Sequence, residues 1–151
     1  MLSVSYKNFY ASFLPLVQIH AEKFKLNPLF ILSVAALETG WGKKVKFNNF
    51  FGIKASASSK SKFHSFTKEL DPQTNKLKKV VQSFRAYSDF NSSCLDFCRL
   101  IRVFYPQCIG VFDHTVCALL QSGSKRKYAT DPNYVVKLET IYYILFTLNI
   151  R

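Results

Sequence analysis

Between positions 27 and 40 the chain reads Asn-Pro-Leu-Phe-Ile-Leu-Ser-Val-Ala-Ala-Leu-Glu-Thr-Gly, and no other stretch constrains the fold as strongly. Asn27 is a good N-cap, and Pro28 suits the first helical position, where its missing N–H costs nothing. Gly40 provides a stop, because glycine adopts the left-handed conformation freely. The helix so bounded, residues 29–39, is apolar almost all round. Such a helix is stable only when other elements cover it, so it is expected to be central and buried.

The rest of the chain supplies the cover. Phe9, Phe13, Leu16, Val17, His20 and Phe24 follow helical spacing, which predicts an amphipathic helix over residues 5–24, kinked at Pro15, with His20 packed in the core. Residues 43–62 lose the pattern and read as loop. Two strand-like runs follow, 63–69 and 76–87, joined by Asp71-Pro-Gln-Thr-Asn75. That turn chemistry predicts a β-hairpin, the core of a small lobe over about residues 55–87. Three more helices are expected at 93–105, 113–122 and 131–148, the last with Asp131 as N-cap and Pro132 at its first position. There is no repeat and no linker, so residues 1–151 are expected to form one domain. The fold class is α+β: a mainly helical body with a β-hairpin lobe inserted after the second helix.

Composition excludes several classes. A chain of 151 residues with 15 Phe and 8 Tyr has the apolar surface to build a core and is not a disordered tail. Its most apolar run, residues 28–37, falls short of the roughly 20 residues that cross a bilayer. The N-terminal residues lack a basic segment followed by an apolar one, so no signal peptide is expected. Cys94, Cys98, Cys108 and Cys117 match no paired zinc spacing. Cys94 and Cys98 share a helix face and read as packing residues, with a disulfide open to them outside the cytosol. His20, His64 and His114 are scattered, and neither a metal site nor a nucleophilic triad is expected.

Chemistry is concentrated at one position. The chain has four glutamates, Glu22, Glu38, Glu69 and Glu139, and only Glu38 closes an apolar helix. A carboxylate there opposes the helix dipole and is partly desolvated, and both effects favour the protonated form. A general acid working near neutral pH needs this property. A second reading is open on the local pattern: a helix-end Glu that reaches solvent or pairs with Lys43 or Lys44. Trp41, between two glycines, is expected to cap and pack against the central helix, with sugar stacking as the alternative.

Four segments carry a resemblance: Ala36-Leu-Glu-Thr-Gly-Trp-Gly42, Asn48-Asn-Phe-Phe-Gly-Ile-Lys54, Phe84-Arg-Ala-Tyr87 and Tyr128-Ala-Thr-Asp-Pro-Asn-Tyr-Val135. In content and order they resemble the glucosaminidase domain of glycoside hydrolase family 73. The resemblance implies a lysozyme-like α+β fold and hydrolysis of peptidoglycan glycan strands between N-acetylglucosamine and N-acetylmuramic acid, without metal or organic cofactor. It places the general acid on Glu38, a second carboxylate on Glu69 in the hairpin lobe, and the active-site tyrosine on Tyr128. Asn48, Asn49, Phe50 and Gly52 fall on the motif that shapes the cleft floor, and Tyr87 and Asn133 on further substrate contacts. The hairpin turn departs from the family pattern at Leu70-Asp-Pro, which makes Asp71 a rival for the second carboxylate. N-acetylmuramidase cleavage is the alternative bond.

The formal net charge is +12. Lysines at 43, 44, 46, 60, 62, 76, 78, 79, 125 and 127, with Arg126, gather around the hairpin lobe and the loop before Tyr128. Such a distribution attracts anionic polymers, including the carboxylates of peptidoglycan stems. It also suits a basic non-catalytic module binding nucleic acid or wall polymer, but no helix carries the charge as a groove-reading stripe, and nucleic acid is not the expected partner. A monomer is expected. It would act in the periplasm or at the cell wall after export by a route without a recognisable signal peptide, or be stored in the cytoplasm if it is a phage endolysin.

Overall fold

The computed structural model describes residues 2–123 and 126–151. Lys125, one of the basic residues noted above, lies outside the described residues, as do Met1 and Ser124. The elements run α1 (Val4–Phe24), α2 (Pro28–Thr39), β1 (Lys62–Leu70), β2 (Leu77–Arg85), α3 (Phe90–Phe104), α4 (Val116–Leu120) and α5 (Tyr134–Asn149), with a 3-10 turn at Pro106–Cys108. This is the expected α+β arrangement.

α2 is the axle of the helical body. Asn27 caps it, its side chain accepting from the Leu29 N–H at 3.0 Å, and Gly40 ends it in the left-handed conformation. Phe30, Ile31, Leu32, Val34, Ala35 and Ala36 are fully buried. A buried Leu, Ile or Phe side chain contributes about 1.5–3 kcal/mol, so this one helix is a large share of the core. Its two buried hydroxyls bond back along the helix, Ser33 to the Leu29 carbonyl at 2.5 Å and Thr39 to the Ala35 carbonyl at 2.6 Å. Neither leaves an unpaired polar group, whose burial would be costly. The Asn27 amide also donates to the Tyr142 hydroxyl at 2.8 Å, pinning the start of α2 to α5.

α1 and α3 close the other sides. Pro15 stands inside the continuous α1; the carbonyl it leaves unbonded belongs to Ala11, on an exposed position. His20 is half-buried, not sealed in the core, and its Nε2 meets Asn91 Oδ1 of α3 at 3.1 Å. Trp41 stacks on Tyr6 of α1 at 4.1 Å and meets Phe9 edge-on at 5.6 Å, the packing role expected of it. An aromatic cluster of Phe13, Phe50, Phe51, Phe90 and Phe97 joins the loop after α2 to α1 and α3. All four cysteines are free and buried, and burial pushes the Cys117 thiol up to about 12.

Three helix starts differ from expectation, each because of an aspartate. α3 begins three residues earlier than predicted, since Asp89 is its N-cap and accepts from the Ser92 N–H at 2.7 Å. α4 and α5 begin three residues later. Asp113 accepts from the Thr115 N–H at 2.9 Å and Asp131 from the Asn133 N–H at 2.9 Å. Each commits its carboxylate to a turn two residues long, and the helix follows that turn. Asn133 then occupies the N-cap of α5 without a side-chain bond.

β1 and β2 form an antiparallel pair whose register sets Phe66 opposite Val81, Lys68 opposite Lys79 and Glu69 opposite Lys78. A lone two-stranded hairpin is marginal in water, and this one is anchored at its base. The Ala55 N–H donates to the Ser83 carbonyl at 2.8 Å and the Arg85 N–H to the Ile53 carbonyl at 3.0 Å. Arg85 also pairs with Asp96 of α3 at 2.8 Å. The predicted second strand overruns by two residues, because the Tyr87 N–H turns away to the Phe47 carbonyl at 2.9 Å.

Candidate active site

A cleft of about 540 Å³ runs between the hairpin and the helical body. Its walls come from the last turn of α2, the loop before β1, the strand β1 and the segment leading into α5, with Phe84 of β2, Leu100 of α3 and Tyr105 completing them. Glu38, Gly52, Lys54, Glu69, Tyr128 and Tyr134 all line it.

Glu38 enters from the end of α2. Its side chain keeps accessible surface towards the cleft, while protein closes around it on the remaining sides. On one side lies Gly52, at φ +66°, so near that a Cβ there would stand 2.7 Å from Glu38 Oε2. Only glycine satisfies both the conformation and the approach. On another side the Tyr134 hydroxyl donates to Glu38 Oε1 at 3.0 Å. Burial pushes the Glu38 carboxyl up to about 7; the Tyr134 hydrogen bond and the Lys54 charge oppose the shift, and the Glu69 charge adds to it. The group therefore exchanges its proton near neutrality.

Glu69 has the opposite electrostatics. It stands on β1, facing the cleft, with Oε1 at 2.9 Å from Lys54 Nζ and Oε2 accepting from the Thr130 hydroxyl at 2.7 Å. Partial burial raises its pKa, but the hydrogen bonds from Thr130 and Lys54, together with the Lys54 charge, outweigh that and hold it below the usual carboxylate value. The cleft thus holds one carboxyl that keeps its proton to near pH 7 and one that gives it up readily. Asp71, the rival position, sits in the hairpin turn, where it accepts from the Gln73 N–H at 2.8 Å, and it does not line the cleft.

Tyr128 lies on the floor, its ring edge-on to Phe97 and Tyr105 at 6.0 and 5.8 Å. Its hydroxyl donates to the Phe51 carbonyl, fixing the peptide that leads into Gly52 and hence the wall against which Glu38 rests. Burial, with the Glu38 charge next, drives its pKa well above the usual value, so it remains a neutral donor.

The Asn48–Gly52 segment is brought to the cleft, but mainly as scaffold. Asn49 is buried and donates to the carbonyls of Ile53 and Arg85, both at 2.9 Å, while its oxygen accepts from the Ile53 N–H at 3.1 Å. These bonds shape the turn that carries Gly52 and tie it to the hairpin base. The Asn48 amide donates to the Tyr87 carbonyl at 3.2 Å. Phe50 is buried in the aromatic cluster. The Tyr87 hydroxyl donates to Asp96 at 2.5 Å, and neither Tyr87 nor Asn133 lines the cleft. The structure adds three residues that sequence reasoning did not single out: Tyr134, Thr130 and Lys54. All three lie inside the four segments that carry the resemblance, Lys54 at the end of the second and Thr130 and Tyr134 in the last, and that membership is the signal the sequence offers for them.

Six cations, Lys44, Lys46, Lys54, Lys68, Arg126 and Lys127, also line the cleft, against the acids Glu38, Glu69 and Asp131. Among the described residues no group of three His, Cys, Asp or Glu is placed to hold a metal ion, and no helix is long and apolar enough to cross a membrane.

Comparison with known proteins gives this geometry a context. The family model for glucosaminidase, described as mannosyl-glycoprotein endo-beta-N-acetylglucosaminidase, matches residues 14–145. The peptidoglycan hydrolase FlgJ of Salmonella typhimurium is 32% identical over 151 residues, covering 93% of this chain and 46% of that protein. A crystal structure of a peptidoglycan hydrolase mutant from Sphingomonas sp. A1 is similar with a TM-score of 0.82 and 28% identity, over 95% of this chain and 97% of that one. A C-terminally truncated glycoside hydrolase domain of Salmonella typhimurium FlgJ gives a TM-score of 0.74 and 30% identity, over 94% of this chain and 98% of that one. The chain spans less than half the length of the curated FlgJ relatives it matches. Its architecture is the lysozyme-like α+β fold of these neighbours.

Proposed function

Because the chain belongs to the glucosaminidase family, glycoside hydrolase family 73, we propose that it is an endo-β-N-acetylglucosaminidase that cuts peptidoglycan glycan strands, with Glu38 as the general acid. The observation that carries the reading is the pairing of two carboxyls of opposite character in one cleft: Glu38 raised to about 7 and Glu69 held below its ordinary value.

A glycosidase needs a proton delivered to the leaving oxygen and a negative charge near the anomeric centre. Glu38 supplies the first. Glycan filling the cleft removes water from its open side, which deepens the desolvation that keeps it protonated. Ionised Glu69, on the facing lobe, supplies the second. It serves either as the base that activates water or as the group that steadies the substrate's own N-acetyl oxygen during its attack. The first route inverts the anomeric configuration and the second retains it, so the anomer first released distinguishes them. Tyr128 and Tyr134 stay neutral and hold the Glu38 wall in shape. The cations lining the cleft favour a glycan whose stems carry carboxylates. With such a substrate, the site of action is the periplasm or the cell wall.

The test is digestion of purified cell walls followed by analysis of the new reducing ends. Reducing N-acetylglucosamine is expected. Reducing N-acetylmuramic acid would make the protein a muramidase. No lysis, together with salt-sensitive binding to DNA or to wall polymer, would make it a binding module. Glu38→Gln, nearly isosteric but unable to donate the proton, should lose the ~10²–10⁴-fold that a positioned acid contributes.

A further inference from the structure

The two faces of the hairpin differ in kind. Phe63, Ser65, Thr67 and Glu69 of β1 are half-buried on one face. On the other, Phe66, Val81 and Leu77 are 67%, 60% and 61% exposed. The register places Phe66 directly opposite Val81, and Lys68 directly opposite Lys79 on that same face; Phe66 and Lys68 also reach the rim of the cleft, whereas Leu77, Lys79 and Val81 do not line it. Like charges opposed across a strand pair are unfavourable, and no carboxylate stands on this face of either strand to offset them. Lys79 has turned instead over the ring of Phe66, with Nζ at 4.5 Å from its centroid. That contact offsets part of the repulsion, and among the described residues no carboxylate of either strand on this face supplies the rest.

Three exposed apolar side chains around a lysine pair with no carboxylate partner on its face match the chemistry of an anionic lipid–water interface. Apolar tips enter the acyl boundary while lysine ammonium groups remain at the headgroups, their stems lying along the apolar surface. A water-soluble acidic polymer would use the lysines and leave Phe66, Val81 and Leu77 in water. We propose that this face of the hairpin docks the protein on anionic lipid surfaces. The proposal does not depend on the glycan-cleaving reading, since its test involves no glycan.

The experiment is co-sedimentation of the intact protein with phosphatidylcholine vesicles, with and without phosphatidylglycerol, at fixed ionic strength. Three variants accompany the native protein: Phe66→Ser with Val81→Ser, which keeps every charge; Lys68→Gln with Lys79→Gln, which keeps the apolar tips; and Phe66→Trp. Binding is expected to anionic vesicles only, falling about tenfold or more in each double variant. The Phe66→Trp protein should gain blue-shifted emission on adding anionic vesicles, an effect the native protein with its single Trp41 does not show. Thermal melting checks folding, and substitutions at these exposed positions are expected to leave it intact. Absence of binding overturns the proposal. Binding that survives the apolar double variant overturns it equally, because a protein of net charge +12 would then be adsorbing through charge alone. If the lysine double variant loses binding to soluble poly-glutamate while vesicle binding is unchanged, the surface belongs to an acidic polymer and the proposal fails.

Discussion

The Tyr134 hydroxyl donates to Glu38 Oε1 at 3.0 Å, joining the first turn of α5 to the last turn of α2. The bond stabilises the ionised carboxylate and so restrains a pKa that burial has already raised. Tyr134→Phe removes the restraint and leaves the ring in place. The Glu38 pKa should then move further upward, and with it the alkaline limb of the pH–kcat profile. Measuring that profile checks the relationship. An unmoved limb in a folded, active variant would mean that the bond does not act on the ionisation that governs turnover.

The same carboxyl makes stability depend on pH. Its folded pKa, about 7, lies above its ordinary value of 4.5. Between those values the folded state holds a proton that the unfolded chain has released. Stability is therefore fully present below pH 4.5, declines as pH rises towards 7, and is lost from this source above it. Since the carboxyl keeps an open side to the cleft, solvent softens the effect. Thermal melting of the native protein and of Glu38→Gln across this window should show the native curve falling relative to the variant as pH rises.

Glu69 titrates in the opposite sense. Thr130→Val removes a hydrogen bond that holds its pKa down and preserves the size of the side chain. The acid limb of the activity profile should shift upward, and Lys54→Met should do the same through the loss of both the bond and the charge. Asp71→Asn should leave turnover unchanged, since that carboxylate is engaged in the turn. A crippled Asp71→Asn enzyme with a silent Glu69→Gln would transfer the second role to Asp71.

Gly52 is where sequence and site meet most tightly. Gly52→Ala introduces a Cβ 2.7 Å from Glu38 Oε2, closer than van der Waals contact allows, at a φ of +66°. The left-handed conformation alone costs roughly 1–2 kcal/mol for a residue with a Cβ. A lower melting temperature is expected, together with a fall in kcat larger than the change in KM, because the displaced group is the proposed acid. Equal activity in the folded variant would show that Glu38 has room to work from another position.

The elements that short-range chemistry dictates are legible in the residues themselves. The cap, the proline, the apolar run and the stopping glycine define α2 within fourteen residues, and they deliver Glu38 to the end of a buried helix. The hairpin and its turn are legible for the same reason. Where two local outcomes have nearly equal standing, the sequence is ambiguous: Asp131 serves a helix cap or a two-residue turn with the same carboxylate, and packing chose the turn. Glu69 is identified through family resemblance and not through its own surroundings, which in sequence are an ordinary polar strand.

The buried helix, the carboxyl at its end and the two-part α+β architecture around them follow from the order of residues alone. The surroundings of that carboxyl depend on how distant segments pack. Its partner Tyr134 lies 96 residues away, and Thr130 lies 61 residues from the Glu69 it holds. Helix and hairpin signals act between neighbours a few positions apart, through backbone hydrogen bonds and side-chain period. Proton affinity is set by burial and by charges a few ångströms off in any direction, and those neighbours are assembled only when the helices pack.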